Sequence, residues 1–159
     1  MRTANVFLLC GALTLSLAGC SGNVNPRVAT RLNQDAAISG LPSNPMQRKV
    51  ITSWINKQDA TMSTMFGNEV AVEYARTNAA FQYPVGATLS VVTWGQQEDP
   101  RWFGGSIPQH VKAVEFVTVT TPGTYSYQRY EGSPLRQIAS EDSAGRAASL
   151  IGMRAAVMP

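Results

Sequence analysis

Thr88-Leu89-Ser90-Val91-Val92-Thr93-Trp94 is followed, after a loop, by Val111-Lys112-Ala113-Val114-Glu115-Phe116-Val117-Thr118-Val119-Thr120. After Thr121-Pro122-Gly123 the chain returns as Thr124-Tyr125-Ser126-Tyr127-Gln128-Arg129-Tyr130. Three runs rich in β-branched and aromatic residues, separated by Gly and Pro, read as neighbouring strands of an antiparallel sheet. Phe116 and Val114 share one face of their strand, because side chains alternate with period two. Val91 and Val92 point to opposite faces, so one of them is expected to be strongly buried. Glu115 interrupts an apolar strand and reads as an edge or solvent-facing position.

Upstream, Thr61 to Phe66 is a further short strand, ended by Gly67-Asn68. Glu69 to Thr77 reads as a helix capped by Asn68. Asn44-Pro45 is a helix-start signal, and Met46, Val50, Ile51, Trp54 and Ile55 follow at helical spacing. The expectation is an amphipathic helix from Pro45 to Lys57 with Trp54 inward. Downstream, Ser140-Glu141-Asp142 opens a C-terminal helix, its acids in the first turn where the helix dipole favours them. The fold class is α+β: an antiparallel sheet of about four to five strands flanked by helices.

The N-terminal residues read differently. Arg2 precedes an apolar run from Val6 to Leu17, of signal-peptide length and short for a bilayer span. It ends in Leu17-Ala18-Gly19-Cys20, which resembles a bacterial lipobox. That resemblance implies a lipoprotein signal over residues 1–19, with a thioether-linked, palmitate-type lipid on Cys20. A secretory signal with an incidental cysteine is the other reading. Residues 20–43, polar and rich in Gly, Asn, Pro and Ser, read as a tether, and residues 44–159 as one domain. Ser21 after the cysteine points to the outer membrane, facing the periplasm, in hosts that sort lipoproteins by that residue.

The chain has only two cysteines, Cys10 and Cys20. With one lost in the leader and one lipidated, no disulfide or cysteine-ligated metal is expected. The formal net charge is +3, and the basic residues are scattered, so no nucleic-acid footprint is visible. His110 is the only histidine, which rules out a His-pair metal motif. No serine sits in a nucleophile elbow, and there is no phosphate-binding glycine loop. No catalytic constellation is recognisable.

Asp99-Pro100-Arg101-Trp102-Phe103-Gly104 is the most distinctive loop. Either Trp102 and Phe103 cover one end of the sheet while Arg101 pairs with Asp99, or they form the lip of a small apolar pocket. In the second case Trp94, Trp102, Phe103 and Tyr127 are the expected pocket residues.

Phe66-Gly67-Asn68 before a helix, Tyr83-Pro84-Val85-Gly86 leading into Val91-Val92-Thr93-Trp94, the Asp99 to Gly104 loop, Val114-Glu115-Phe116 and Tyr127 to Gly132 together resemble the cytochrome P-460 family. The likeness covers Met46 to Gly132. It implies a sheet flanked by helices, a periplasmic setting, and a homodimer as the family's frequent assembly. Catalytic members carry a covalent haem and oxidise hydroxylamine, and relatives bind small gases. Covalent attachment needs Cys-x-x-Cys-His, and Gln137 to Met153 contains neither residue type. No cofactor is therefore expected, and the implied role is binding of a small apolar ligand or of an envelope protein partner. Two alternatives remain: a redox or gas-binding protein holding non-covalent haem on His110 or on Met65, and a structural envelope lipoprotein.

Overall fold

A computed structural model describes residues 26–77 and 82–156. The leader, residues 1–19, and Cys20 lie outside the described residues. Helix α1 (Pro26–Asp35) comes first, then a 3-10 turn (Pro45–Gln47), β1 (Lys49–Asn56), β2 (Thr61–Gly67), α2 (Glu69–Arg76), β3 (Thr88–Glu98), β4 (Ser106–Thr121), β5 (Thr124–Glu131), β6 (Arg136–Ile138) and α3 (Ser143–Ile151). The six strands form one antiparallel sheet in sequence order. A meander of this kind needs only hairpin connections, and α2 is the one helix inserted between neighbouring strands. The α+β expectation of a helix-flanked antiparallel sheet stands, with six strands rather than four or five.

The helix expected over Pro45 to Lys57 is corrected. Asn44 does cap a turn, accepting from Met46 N–H at 2.9 Å, but the turn ends at Gln47 and the chain enters β1. Val50, Ile51, Thr52, Trp54 and Ile55 are β-branched or aromatic, and such residues suit a pleated surface. A bulge between Val50 and Thr52 shifts the alternation by one residue. That shift imitates helical spacing in the sequence. β6 was not anticipated; its three residues, all exposed, pair with Arg129 to Glu131.

α2 forms as expected. The Asn68 side chain accepts from Ala71 N–H and Thr88 N–H, both at 3.1 Å, and donates to Gly86 C=O at 2.8 Å. One residue thus caps the helix and ties it to the start of β3. Gly67 sits where a Cβ would lie 2.6 Å from Ile51 Cδ1, so the approach of β2 to β1 needs a residue without a side chain. α3 begins at Ser143, so Glu141 and Asp142 precede it and do not lie in its first turn as expected; Asp142 instead caps it, accepting from Gly145 N–H at 2.9 Å.

The sheet is covered on both faces. On one, Ile51, Met65, Leu89, Val91, Val117 and Val119 pack beneath α2 and α3. On the other, Phe66, Val92, Trp94, Val114, Phe116 and Tyr130 pack beneath Ala36, Ile38 and Leu41. Val91 and Val92 are therefore both fully buried, where covering of a single face would bury only one. Packed structure also begins earlier than residue 44, since α1 and the 36–41 segment belong to the second layer.

Candidate functional site

The face opposite α2 and α3 carries the site. Val50, Ser53 and Ile55 of β1 project on the same side as Phe66, Thr64 and Met62 of β2, with which they are paired. Phe66, Thr64 and Met62 pair in turn with Ser90, Val92 and Trp94 of β3. The Trp94 indole donates Nε1–H to Ala36 C=O at 2.9 Å. That bond holds the 36–38 segment over the β3 side and leaves the β1 side uncovered.

The result is a groove of about 720 Å³, with Ile38, Met46, Val50, Ile55, Met62 and Trp94 prominent in its lining. Met46, Val50 and Ile55 are each more than half exposed. Ser53 and Thr64, whose hydroxyls are bonded to each other at 3.0 Å, are the polar handles on the floor. No charged side chain lines it. Such a site can bind by removing apolar surface from water, and two methionines in its lining give it an adaptable shape.

Beside the groove, the Arg48 guanidinium lies 5.9 Å from the Phe116 ring centre, within cation–π reach. Burial lowers its pKa. Phe116 packs edge-on against Tyr130 at 5.9 Å. This aromatic stack lies on the same face of the sheet, beside the groove, over β4 and β5.

The opposite face holds a second cluster of chemically capable groups. Glu115, expected at an edge or in solvent, is buried at 2% exposure in the interior strand β4. Arg146 of α3 grips it in fork fashion, Nε to Oε1 and Nη2 to Oε2, both at 2.8 Å. Tyr127 donates its hydroxyl to Oε1 at 2.6 Å. Arg129 Nη1 stands 3.6 Å away and also pairs with Glu131. Burial pushes the Glu115 carboxyl up. The hydrogen bonds from Arg146 and Tyr127, then the charges of Arg146 and Arg129, outweigh it and hold the group below its ordinary value. Burial first, then the hydrogen bond to Glu115, raises the Tyr127 phenol.

A carboxylate so encircled has neither a proton to give nor a free lone pair aimed at a cavity. The nearest depression, lined by Tyr125, Tyr127, Ser143 and Ala144 among others, is not lined by Glu115. The cluster clamps α3 to the sheet.

The expected pocket residues do not converge. Trp94 lines the groove. Tyr127 lies across the sheet against Glu115. Trp102 and Phe103 sit at a loop tip, 74% and 104% exposed, so they cover no sheet end. Asp99 and Arg101 do pair, at 3.3 Å. His110 is exposed and lines a separate, more polar depression with Gln34, Asp35 and Ser39. Met65 is wholly buried in the helix-covered layer, away from the groove.

The groove residues Met46, Val50, Ile55, Met62 and Phe66 were missed. Alternation from Ser53 through Ile55, opposite the strand Thr61 to Phe66, was the signal that could have found them.

Among the described residues, no group of three or more His, Cys, Asp or Glu side chains is placed to hold a metal ion, and no helix is long and apolar enough to cross a membrane. Comparison with protein-family models and with curated proteins found no match for the sequence.

Proposed function

We propose that this chain is a lipid-anchored envelope protein whose domain holds a small, uncharged apolar ligand in the groove over β1, β2 and β3. One observation carries the reading: about 720 Å³ of apolar-walled space beside three large side chains more than half exposed. Small-ligand sites span about 300–1,000 Å³ and combine apolar walls with a few polar groups. Ser53 and Thr64 supply those groups here. In this reading the lipid rides on Cys20, the leader is residues 1–19, and Ser21 directs the protein to the periplasmic side of the outer membrane. The motifs from Met46 to Gly132 support a cytochrome P-460-type domain in which ligand binding stands in place of haem chemistry. Because β1 is an edge strand beside the groove, pairing of two copies along it is the second reading, and the molecular mass in solution separates the two.

The test is a titration of the purified chain with 1-aminoanthracene, an uncharged apolar fluorophore, followed by its emission and by energy transfer from Trp94. Saturable binding is expected. Ile55→Asp puts a charge in the wall at an exposed position and is expected to weaken binding at least about tenfold, equivalent to about 1.4 kcal/mol, while leaving the melting temperature near that of the parent. Unsaturable binding, or equal binding by Ile55→Asp, refutes the groove as a ligand site.

A further inference from the structure

We propose that the β3–β4 hairpin is a membrane-contacting arm, its tip residues Trp102 and Phe103 inserting into the interfacial layer of a lipid bilayer. This rests in part on the lipid-anchor reading above, and it goes beyond it by assigning a second, protein-borne membrane contact.

The hairpin outreaches its neighbours. β2 stops pairing with β3 at Gly95, and β5 stops pairing with β4 at Ala113. Past a last bond from Gln96 N–H to Ala60 C=O at 2.9 Å, β3 and β4 continue without other strands through Gln96↔Pro108, Gln97↔Ile107 and Glu98↔Ser106. Those three pairs add about 10 Å of two-stranded ladder at the usual rise per residue, and the loop 99–105 extends it further.

The loop is built, not slack. Asp99 N–H donates to Gly105 C=O and Gly105 N–H to Trp102 C=O, both at 2.9 Å. The Asp99 carboxylate accepts from Arg101 N–H at 2.9 Å and from Arg101 Nε–H at 3.3 Å. Gly104 takes φ +74°, and a Cβ on Gly105 would meet Trp102 C=O at 3.0 Å. These contacts fix the backbone, and both rings still point away from the protein.

The chemistry at the tip fits a bilayer interface. Trp is enriched at the headgroup level, where its ring is apolar and its N–H stays wet. Arg101 adjoins the rings and can meet a lipid phosphate. A convex tip with two rings also suits a soft planar surface better than a concave one.

Chain geometry limits how far the domain can stand from a lipid on Cys20. Ala36 is held on Trp94, next to the base of the arm. From Asp35 back to Pro26, α1 runs about 15 Å at 1.5 Å per residue. The six steps from Pro26 to Cys20 span at most about 20 Å. Together they set an upper bound of about 35 Å on the distance from Asp35 to Cys20, so a lipid on Cys20 keeps the domain and its arm within that reach of a bilayer.

The experiment uses the full chain, processed in a bacterial host, carrying Phe103→Cys labelled with an NBD fluorophore. It is placed in phosphatidylcholine vesicles containing doxyl-labelled lipid. Thr124→Cys, in the turn at the other end of β4, is the control. Mass spectrometry of the N-terminal peptide reads lipidation of Cys20 separately. The expected result is a blue-shifted emission and strong doxyl quenching at 103, with neither at 124. A lipidated chain whose 103 label stays in water overturns the arm and leaves the anchor standing. An unlipidated chain that is still quenched at 103 supports the arm and removes the anchor. Absence of both lipid and quenching overturns both, and crosslinking of residue 103 to a protein without lipid quenching assigns the tip to a protein partner instead.

Discussion

The two faces of the sheet are closed by different means. Under α2 and α3 the core is continuous, and at its β4–β5 side a buried carboxylate, two guanidiniums and a phenol fasten the last helix. On the other face α1 lies against β4, a short segment, 36–41, and one 3-10 turn lie across the strands, and the β1 side is left as an apolar groove. Helices can bury a whole face because each presents an apolar stripe. An extended segment buries only what a few side chains reach. The face that was closed cheaply in chain length is the face that keeps room for a ligand.

The largest expected effect breaks the closed face. Glu115→Ala leaves Arg146 and Tyr127 without their shared acceptor, with Arg129 also facing the gap. Loss of one member of a buried ion pair costs about 3–5 kcal/mol. Chemical denaturation is expected to show that loss, with α3 the first element to exchange its amides. The double variant Glu115→Met, Arg146→Met removes the buried carboxylate together with its partner, whose side chain is 38% exposed, and is expected to recover most of the stability, since apolar replacement of a buried pair is often near neutral. If Glu115→Ala costs under about 1 kcal/mol, the cluster behaves as a surface pair and the two faces do not differ as described.

Acid gives a smaller, graded version of the same test. The Glu115 carboxyl is held below the ordinary glutamate value of 4.5 in the folded protein, so the unfolded chain binds its proton more readily. The stabilisation it brings is present above about pH 4.5 and is lost as pH falls through the folded value. Urea midpoints measured from pH 7 down to pH 3 are expected to fall more steeply for the parent than for Glu115→Gln. Parallel profiles would mean that this carboxylate gives no pH dependence.

Strand content was legible where the residues state one conformation. Val91-Val92-Thr93-Trp94 and, apart from Glu115, Val114 to Val119 are β-branched or aromatic, and they form the middle of the sheet. Asn68 announced its helix by a side chain that can accept from exposed N–H groups, while Ser140-Glu141-Asp142 marked the start of α3 with acids that fall just before its first turn. The reading failed at Lys49–Asn56, where a bulge converted strand alternation into apparent helical spacing. It failed again at Glu115. Nothing local distinguishes a solvent-facing glutamate from one met by an arginine 31 residues later. Tyr127 and Arg129 on one face of the next strand were the accessible hint. The groove was illegible for a similar reason, since its walls come from six separate segments. The rings of Trp102 and Phe103 invited a pocket, yet a turn fixed by Asp99 and two glycines aims them outward.

The smallest effect sharpens the open face. Trp94→Phe keeps an aromatic ring on β3 but removes the Nε1–H donated to Ala36 C=O. A net hydrogen bond contributes about 0.5–1.5 kcal/mol, and the freed carbonyl lies at the groove rim where water can reach it, so a loss of about 1 kcal/mol is the expected scale. Far more informative is where the loss appears. Amides of residues 36–41 are expected to exchange faster, while those of β4 and α3 keep their protection, because the bond joins one covering segment to a sheet held elsewhere. The groove also loses part of one wall, so binding of the apolar fluorophore is expected to weaken along with it. Faster exchange spread evenly over both faces would show that the 36–41 segment is integral to the core, and that the open face is no less cooperative than the closed one.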